Sequence, residues 1–204
     1  MLRFSEDLDF ATRELKRKEF GTILEEVRKS LNNEGFSVDI SVEERDNLLS
    51  AQLLFKDLMK VYKITDKRGI DLMIKIEVYK RAWNLEFRTS VLSLYGYNFS
   101  FILLREDCIF SEKILALFNR RRGRDIYDTL FMLKKKFPFN EDILKVNQIK
   151  ESPVKGVINY FKNIPQKELE FLAEQVKPFL FKEDDIELVL NASLFAEKFL
   201  EDYV

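Results

Sequence analysis

The chain of 204 residues contains no histidine and a single cysteine, Cys108. The absence of histidine excludes Ser-His-Asp and Cys-His catalysis, histidine general bases, and zinc or iron held by histidine. A single cysteine excludes an internal disulfide framework and a zinc site built from cysteines. Any catalysis must therefore use carboxylates, lysine, arginine, tyrosine or metal ions bound through oxygen ligands.

The sequence also lacks a long apolar segment. No run approaches the roughly 20 apolar residues that a membrane-spanning helix needs. Charged residues begin at Arg3, which does not fit the charged and then apolar pattern of a signal peptide. We therefore expect a soluble, cytoplasmic protein with no membrane partner.

Charge is nearly balanced overall but uneven along the chain. The net charge of −1 argues against a protein that coats nucleic acid over its whole surface. Basic residues concentrate in 113–136, whereas residues 183–202 are mostly acidic. A local basic surface beside an acidic metal site would suit a polyanionic substrate. The alternative is that both runs are ordinary solvated helix faces.

Periodicity predicts a β-rich first half and a helical second half. After an opening strand, residues 11–35 are predicted to be helical. Strand patterns follow at 36–44, 48–56, 58–66, 71–80, 84–94 and 99–107. Helical patterns then dominate, with Ser111, Ser152–Pro153 and Pro165 as predicted helix starts. We predict an α+β chain with a β-rich domain at 1–107 and a helical domain at 108–204.

The stretch RFSEDLDF, residues 3–10, places two carboxylates in the opening strand. Asp7 and Asp9 share one strand face with Ser5, and they lie roughly 6–7 Å apart along the strand. The opposite face is predicted to be mostly core and carries Phe4, Glu6, Leu8 and Phe10. Two such carboxylates can hold one Mg²⁺ or a pair of Mg²⁺ ions. The alternative is an edge strand with a solvated acidic face.

A third acid, Glu77, lies in the strand pattern of residues 71–80. It shares its predicted face with Met73, Lys75 and Tyr79. A carboxylate from a neighbouring strand would complete a three-acid metal site with Asp7 and Asp9. The alternative is a solvated glutamate on an amphipathic strand.

The stretch RGRDIYD, residues 122–128, is predicted to begin a helix after a break at Gly123. Arg124, Asp125 and Asp128 would then cluster on one side of that helix. Alternatively, Asp125 complements the helix dipole and Arg124 pairs with Asp128. Lys113, on the preceding helix, is either a phosphate contact or a solvated lysine.

In this order, the three motifs resemble the AbiEii-type nucleotidyltransferases, the toxin components of type IV-like toxin–antitoxin systems. RFSEDLDF is similar to that family's R-[FL]-S-E-D-[IL]-D-[FL] segment, and IKIEV resembles its later strand. SEKILALFNRRRGRDIYD resembles its E-K-x-x-A-L … R-D-x-x-D segment. The resemblance covers residues 3–10, 74–78 and 111–128.

The resemblance implies a polymerase-β-like nucleotidyltransferase fold, with a mixed sheet and flanking helices, followed by a C-terminal helical bundle. It implies transfer of a nucleotide from an NTP to an acceptor such as RNA or tRNA, with two Mg²⁺ ions and a cognate antitoxin partner. The implied metal ligands are Asp7, Asp9 and Glu77. The implied catalytic residues are Asp7, Asp9, Lys113 and Asp125. The implied nucleotide or acceptor contacts are Ser5, Lys75, Lys113, Arg124 and Asp128.

One departure from the family pattern concerns a phosphate-binding turn. The family carries a Gly-Gly-Thr/Ser-type turn before the D-x-D strand, and its backbone N–H groups grip the triphosphate. Only Met1 and Leu2 precede the motif here. We expect an N-terminally truncated chain, a partner that supplies the turn, or a degenerate homologue that acts as a binding module through nucleotide, RNA or protein contacts.

Overall fold

A computed structural model describes residues 3–5, 7–67, 70–94, 96–149 and 152–203. The chain divides into two compact units. The sheet unit is Ser5–Leu85, and the helical unit is Met1–Phe4 together with Glu86–Val204. The predicted domains, 1–107 and 108–204, divide the chain by secondary structure rather than by contacts, and they stay a prediction.

The sheet unit contains a mixed four-stranded sheet in its described part. Its elements are β1 (Asp7–Thr12), α1 (Arg17–Asn33), β2 (Val38–Arg45), β3 (Leu48–Phe55), α2 (Leu58–Val61) and β4 (Leu72–Lys80). The strand order is β1-β4-β3-β2. β1 runs parallel to β4, whereas β4, β3 and β2 pair in antiparallel fashion. The predicted strands at 36–44, 48–56 and 71–80 are therefore confirmed.

The core of the sheet unit lies between α1 and one face of β2, β3 and β4. In α1 the apolar residues recur at helical spacing, so one side of the helix buries Phe20 and Leu24. The strand residues buried with them are Val38, Leu49, Ala51, Leu53, Phe55 and Val78. Alternation along the strands therefore leaves the other sheet face to the odd-numbered residues of β1 and β4.

The predicted core face of the opening strand is wrong. Phe4, Leu8 and Phe10 are 55%, 50% and 54% exposed. For Leu8 and Phe10 the physical reason is that β1 is an edge strand outside the core, because the buried strand residues that pack with α1 come from β2, β3 and β4. Glu6, predicted to lie on the same face, lies outside the described residues.

Two further element predictions in this unit need correction. α1 begins at Arg17 rather than at residue 11, because the Glu19 carboxylate accepts a hydrogen bond from the Lys16 N–H at 2.8 Å and caps the helix there. Residues 58–66 were predicted as a strand, but Leu58–Val61 form a short helix. Short apolar runs fit both structures equally well. Here the Asp57 carbonyl accepts hydrogen bonds from Lys60 and Val61, which closes a helical turn.

The helical unit starts with a two-stranded antiparallel ribbon, β5 (Phe87–Leu94) and β6 (Tyr97–Leu104). Its α-helices are α3 (Glu106–Asn119), α4 (Gly123–Lys134), α5 (Glu141–Val146), α6 (Pro153–Lys162), α7 (Gln166–Val176), α8 (Glu187–Leu190) and α9 (Ala192–Leu200). Short 3₁₀ helices cover Lys177–Phe179, Glu183–Ile186 and Glu201–Tyr203. The helix starts predicted at Ser152–Pro153 and Pro165 are confirmed.

α4 is the central helix of this unit and packs against α3, α7, α8 and α9. Its first residue is Gly123, which confirms the predicted break. A Cβ at this position would collide with the backbone carbonyl of Leu172 in α7. A glycine is therefore what allows the start of α4 to approach α7 so closely.

The predicted helix start at Ser111 is wrong, because α3 already begins at Glu106. Glu106 and Asp107 occupy the first turn, where acidic side chains complement the helix dipole. Ser111 is buried within α3, and its hydroxyl accepts a hydrogen bond from the Asn140 N–H at 2.8 Å. The serine thus ties α3 to the start of α5 instead of capping a helix. None of the described helices combines the length and the apolar character that crossing a membrane requires.

Candidate functional site

The acidic residues of the sheet unit are brought to one sheet face by strand pairing. In the parallel register of β1 and β4, Asp7 lies opposite Lys75 and Asp9 lies opposite Glu77. Paired residues of neighbouring strands point to the same side of a sheet. The three carboxylates predicted as metal ligands therefore share one face, with Lys75 among them.

The carboxylate of Glu77 is held by two neighbours on its own strand. The Lys75 ammonium forms an ion pair with one oxygen of Glu77. The Tyr79 hydroxyl donates a hydrogen bond of 2.8 Å to the other oxygen. The Glu77 side chain is only 12% exposed, so these contacts replace much of its hydration. The predicted alternative of a solvated glutamate is therefore wrong for this side chain.

The ammonium of Lys75 is stabilised by the acidic face. Its pKa is raised, chiefly by the hydrogen bond to Glu77. Burial is the next largest effect and opposes this shift, and the negative charges of Glu77, Asp7 and Asp9 each add a smaller increase. Lys75 is therefore charged throughout the physiological range. Ser5, the other predicted nucleotide contact in this unit, is exposed, and its hydroxyl donates to the Asp7 carbonyl at 3.3 Å.

The acidic face fits magnesium in its donor chemistry and its register. Carboxylate oxygens are the hard ligands that Mg²⁺ prefers, and β1 and β4 present them on the same side. Nevertheless, within the part of the chain that the structure describes, no three acidic, histidine or cysteine side chains are gathered closely enough to hold a metal ion. Glu77 is engaged by Lys75 and Tyr79 of its own strand. The three-acid metal site stays a prediction.

A second ionic cluster is buried in the helical unit around Lys113. The Lys113 ammonium lies 3.1 Å from Asp125 Oδ1 and 2.9 Å from Asp128 Oδ2. Its side chain is 19% exposed, whereas those of Asp125 and Asp128 are 2% and 0% exposed. The spacing of three on α4 places both carboxylates toward α3, where Lys113 lies. Lys113 is thus paired rather than freely solvated.

Asp128 is also bound by Arg3, which reaches it from the start of the chain. The Arg3 Nε and Nη2 atoms donate to the two carboxylate oxygens of Asp128 at 2.6 and 2.7 Å. The segment is anchored further by a hydrogen bond of 2.7 Å from the Phe4 N–H to the Phe179 carbonyl. Burial alone would raise the pKa of Asp128, but Arg3 and Lys113 together hold it below its ordinary value. Asp128 is therefore a charged residue whose side chain is fully buried.

Asp125 is bound by a second arginine, Arg120. The Arg120 guanidinium, just after α3, donates to its carboxylate at 2.9 and 3.2 Å. Arg124 places its guanidinium carbon 4.8 Å from the centre of the Phe179 ring, a cation–π contact. The cluster thus sets the cations Arg3, Lys113 and Arg120 against the carboxylates of Asp125 and Asp128.

Sequence reasoning missed Arg3, Arg120 and the contact from Tyr79. Arg3 is the first residue of the RFSEDLDF motif, so its place in the motif was a signal for a role. Tyr79 was placed on the face of Glu77 by alternation, but alternation does not specify which side chains bond. Arg120 had no signal beyond membership of a basic run.

The fold and the two clusters define the class of protein. A mixed sheet that displays carboxylates from adjacent strands on one face, followed by packed helices, confirms the predicted α+β fold of the nucleotidyltransferase type. The family described as "Nucleotidyl transferase AbiEii toxin, Type IV TA system" matches residues 1–191. The chain therefore belongs to the AbiEii family of nucleotidyltransferase toxins. Comparison with curated proteins gave no match, and comparison with solved structures gave none either.

Proposed function

We propose that the protein is a Mg²⁺-dependent nucleotidyltransferase that moves a nucleotide from an NTP to an RNA acceptor, including tRNA. The observation that carries the proposal is the β1–β4 register, which pairs Asp9 with Glu77 and Asp7 with Lys75 in a chain of this toxin family. Two-metal phosphoryl transfer requires oxygen ligands gathered at one place, and carboxylates on adjacent strands can supply them.

In the sheet unit, Asp7, Asp9 and Glu77 are the proposed magnesium ligands. Bound Mg²⁺ would neutralise the triphosphate and lower the pKa of an acceptor hydroxyl. The protein's own part is to supply rigid oxygen ligands from paired strands. Ser5 and Lys75 are proposed to contact the nucleotide, since a hydroxyl and an ammonium on this face both donate to phosphate oxygens.

In the helical unit, Lys113 is the proposed phosphate contact. Its ammonium is fixed by Asp125 and Asp128, and Arg3 in turn fixes Asp128. A cation held in this way needs little reorganisation when an anion arrives. Asp125, together with Arg124 and Asp128, is proposed to shape this region and to organise the acceptor.

Two partners and a location follow from the proposal. Membership of a toxin family from toxin–antitoxin systems supports a cognate antitoxin that restrains the activity. An RNA acceptor would use the basic residues of 113–136, which include the paired Lys113 and Arg120. An NTP substrate favours the cytoplasm as the place of action.

The test is transfer of label from each α-³²P-NTP to total RNA, with Mg²⁺ and with EDTA. We compare the wild type with Asp9→Asn and with the control Asp46→Asn, which changes a carboxylate in the β2–β3 turn at φ 46°. Asparagine tolerates this left-handed conformation. We expect labelled RNA with Mg²⁺ in the wild type and the control, and at least about a 100-fold loss in Asp9→Asn. Undiminished transfer by Asp9→Asn contradicts the assignment.

A second candidate function is a binding module that transfers nothing. The observation that favours it is the engagement of both Glu77 oxygens by Lys75 and Tyr79. Calorimetry with NTP and Mg²⁺ separates the two functions. Absent or millimolar nucleotide binding, together with unlabelled RNA, supports the binding module, whereas micromolar binding counts against it.

A further inference from the structure

Lys75 is the cation at the centre of the acidic face. β4 lies between β1 and β3, so the side chain of Lys75 emerges in the interior of the sheet rather than at its edge. Asp7 is its direct partner on β1, and Glu77 and Asp9 form the next pair along the same face. Three carboxylates therefore share one face of the sheet with the Lys75 side chain.

The contacts of Lys75 occupy the same carboxylate that a metal ion would need. Its ammonium pairs with Glu77, and the Tyr79 hydroxyl takes the remaining oxygen. In the described residues the acids are not gathered into a three-ligand group. The ammonium of Lys75 thus lies where the repulsion between the carboxylates would otherwise be strongest.

We propose that Lys75 is a resident counter-ion of the acidic face, which neutralises Glu77 in the metal-free protein and is displaced when a divalent cation binds. The inference rests on the proposed function for the identity of the metal ligands. It adds that a divalent cation and the Lys75 ammonium compete for the carboxylate of Glu77. Displacement is sterically open, because the Lys75 side chain is 34% exposed and its four-carbon stem is flexible.

The competition has two measurable consequences. Removing the ammonium removes a positive charge that repels an arriving divalent cation, which corresponds to about a tenfold gain in metal affinity for charges about 5 Å apart and screened as in bulk water. It also removes the ion pair between Lys75 and Glu77, so the metal-free protein should melt at a lower temperature. Added metal should restore the melting temperature that the substitution lowers.

The experiment measures Mn²⁺ binding, by electron paramagnetic resonance of free Mn²⁺, and melting temperature with and without Mn²⁺. Lys75→Met keeps the length of the stem without its charge. The matched control is Lys80→Met on the same strand, because Lys80 points to the opposite face and pairs with Glu44 at 2.8 Å. Lys75→Arg is the third variant, since a guanidinium forms a planar, bidentate hold on a carboxylate.

We expect the Mn²⁺ dissociation constant of Lys75→Met to be about tenfold below that of the wild type, with Lys80→Met unchanged. Its metal-free melting temperature should fall and should recover in saturating Mn²⁺. Lys75→Arg should bind Mn²⁺ more weakly than the wild type, which keeps the test decisive if Lys75→Met fails to fold. Equal Mn²⁺ affinities for the wild type and the Lys75 variants, or no Mn²⁺ binding by any of them, overturn the proposal.

The inference and the proposed function fail separately. If Lys75→Met binds Mn²⁺ more tightly and the wild type transfers no label to RNA, the counter-ion role of Lys75 is supported and the proposed nucleotidyltransferase activity is contradicted. If the wild type transfers label to RNA and Lys75→Met binds Mn²⁺ with the same affinity as the wild type, the proposed activity is supported and the counter-ion role of Lys75 is contradicted.

Discussion

The helical unit buries Asp125 and Asp128 among cations, whereas the sheet unit leaves Asp9 exposed at its surface. Asp128 is fully buried and held by Arg3 and Lys113. Asp9, by contrast, is exposed on the edge strand β1. A buried ion pair resists change because the loss of one partner strands the other charge without water. A surface acid is free to exchange partners, which is what a site that binds and releases ions requires.

The largest effect is expected from Asp128→Asn, which strands Arg3 and part of the charge of Lys113 in the interior of the helical unit. We expect the free energy of unfolding at pH 7 to fall by about 3–5 kcal/mol, measured by urea denaturation. The control is Glu141→Gln, whose exposed pair with Lys145 should contribute nothing measurable. A loss below about 1 kcal/mol would remove the distinction between the two clusters.

The same variant gives a pH dependence with a definite sign. The pKa of Asp128 is held below its ordinary value of 3.8 in the folded state. Its contribution to stability is therefore complete above the unfolded pKa and is lost as the pH falls through the folded pKa. The difference between the wild type and Asp128→Asn should shrink below about pH 4. A constant difference down to pH 2 contradicts this origin.

The next effect concerns two glycines, one in each unit. Gly123→Ala places a Cβ against the Leu172 carbonyl, so α4 and α7 must separate. We expect a loss of about 3 kcal/mol. Gly21→Ala lies within α1 with nothing near its Cβ. We expect a gain of about 1 kcal/mol there, from helix propensity alone. Urea denaturation of both variants sharpens the contrast, and a loss in both would contradict it.

These contrasts show where the sequence was sufficient and where it was not. Period-two alternation predicted β1, β4 and the shared face of Asp7 and Asp9, because strand geometry is local. The exposure of Phe10 depends on strand order, and no local pattern encodes whether a strand lies at an edge. The pair between Arg3 and Asp128 spans 125 positions, so only the packed fold brings it together.

Within one strand, the sequence predicted which charged side chains lie near one another, but not which of them form ion pairs or hydrogen bonds. Lys75, Glu77 and Tyr79 were placed on one face by alternation. Which of them touch depends on rotamers and on what each side chain loses in hydration. The metal prediction assumed that the acids turn toward one another, and the structure instead turns Glu77 toward Lys75 and Tyr79.

A smaller effect is expected from the buried phenol of the helical unit. The Tyr127 hydroxyl donates to Asp185 at 3.2 Å, and burial, together with the charge of Asp185, raises its pKa to about 12. A raised pKa means that its contribution is complete below about pH 10 and is lost as the pH rises through about 12.

The measurement is the free energy of unfolding of the wild type and Tyr127→Phe between pH 9 and pH 12. The difference between them should change by on the order of 2 kcal/mol over that range. The control is Tyr97→Phe, which changes a highly exposed tyrosine of β6 and should track the wild type. Parallel curves for the wild type and Tyr127→Phe would show that the phenol is not buried in solution.

The smallest stability effect is expected at Asp9, which is also where the largest functional effect is expected. Substitutions at exposed positions contribute little to folding, and Asp9 is exposed, so Asp9→Asn should change the free energy of unfolding by less than about 0.5 kcal/mol. The same variant should lose transfer of label to RNA, because the amide is a poor magnesium ligand compared with a carboxylate. Loss of activity together with a loss of stability comparable to that of Asp128→Asn would make Asp9 a structural residue. If Asp9→Asn loses activity at unchanged stability, the catalytic function depends on the exposed Asp9 of the sheet unit, whereas the stability of the fold depends on buried ion pairs such as that of Asp128 in the helical unit.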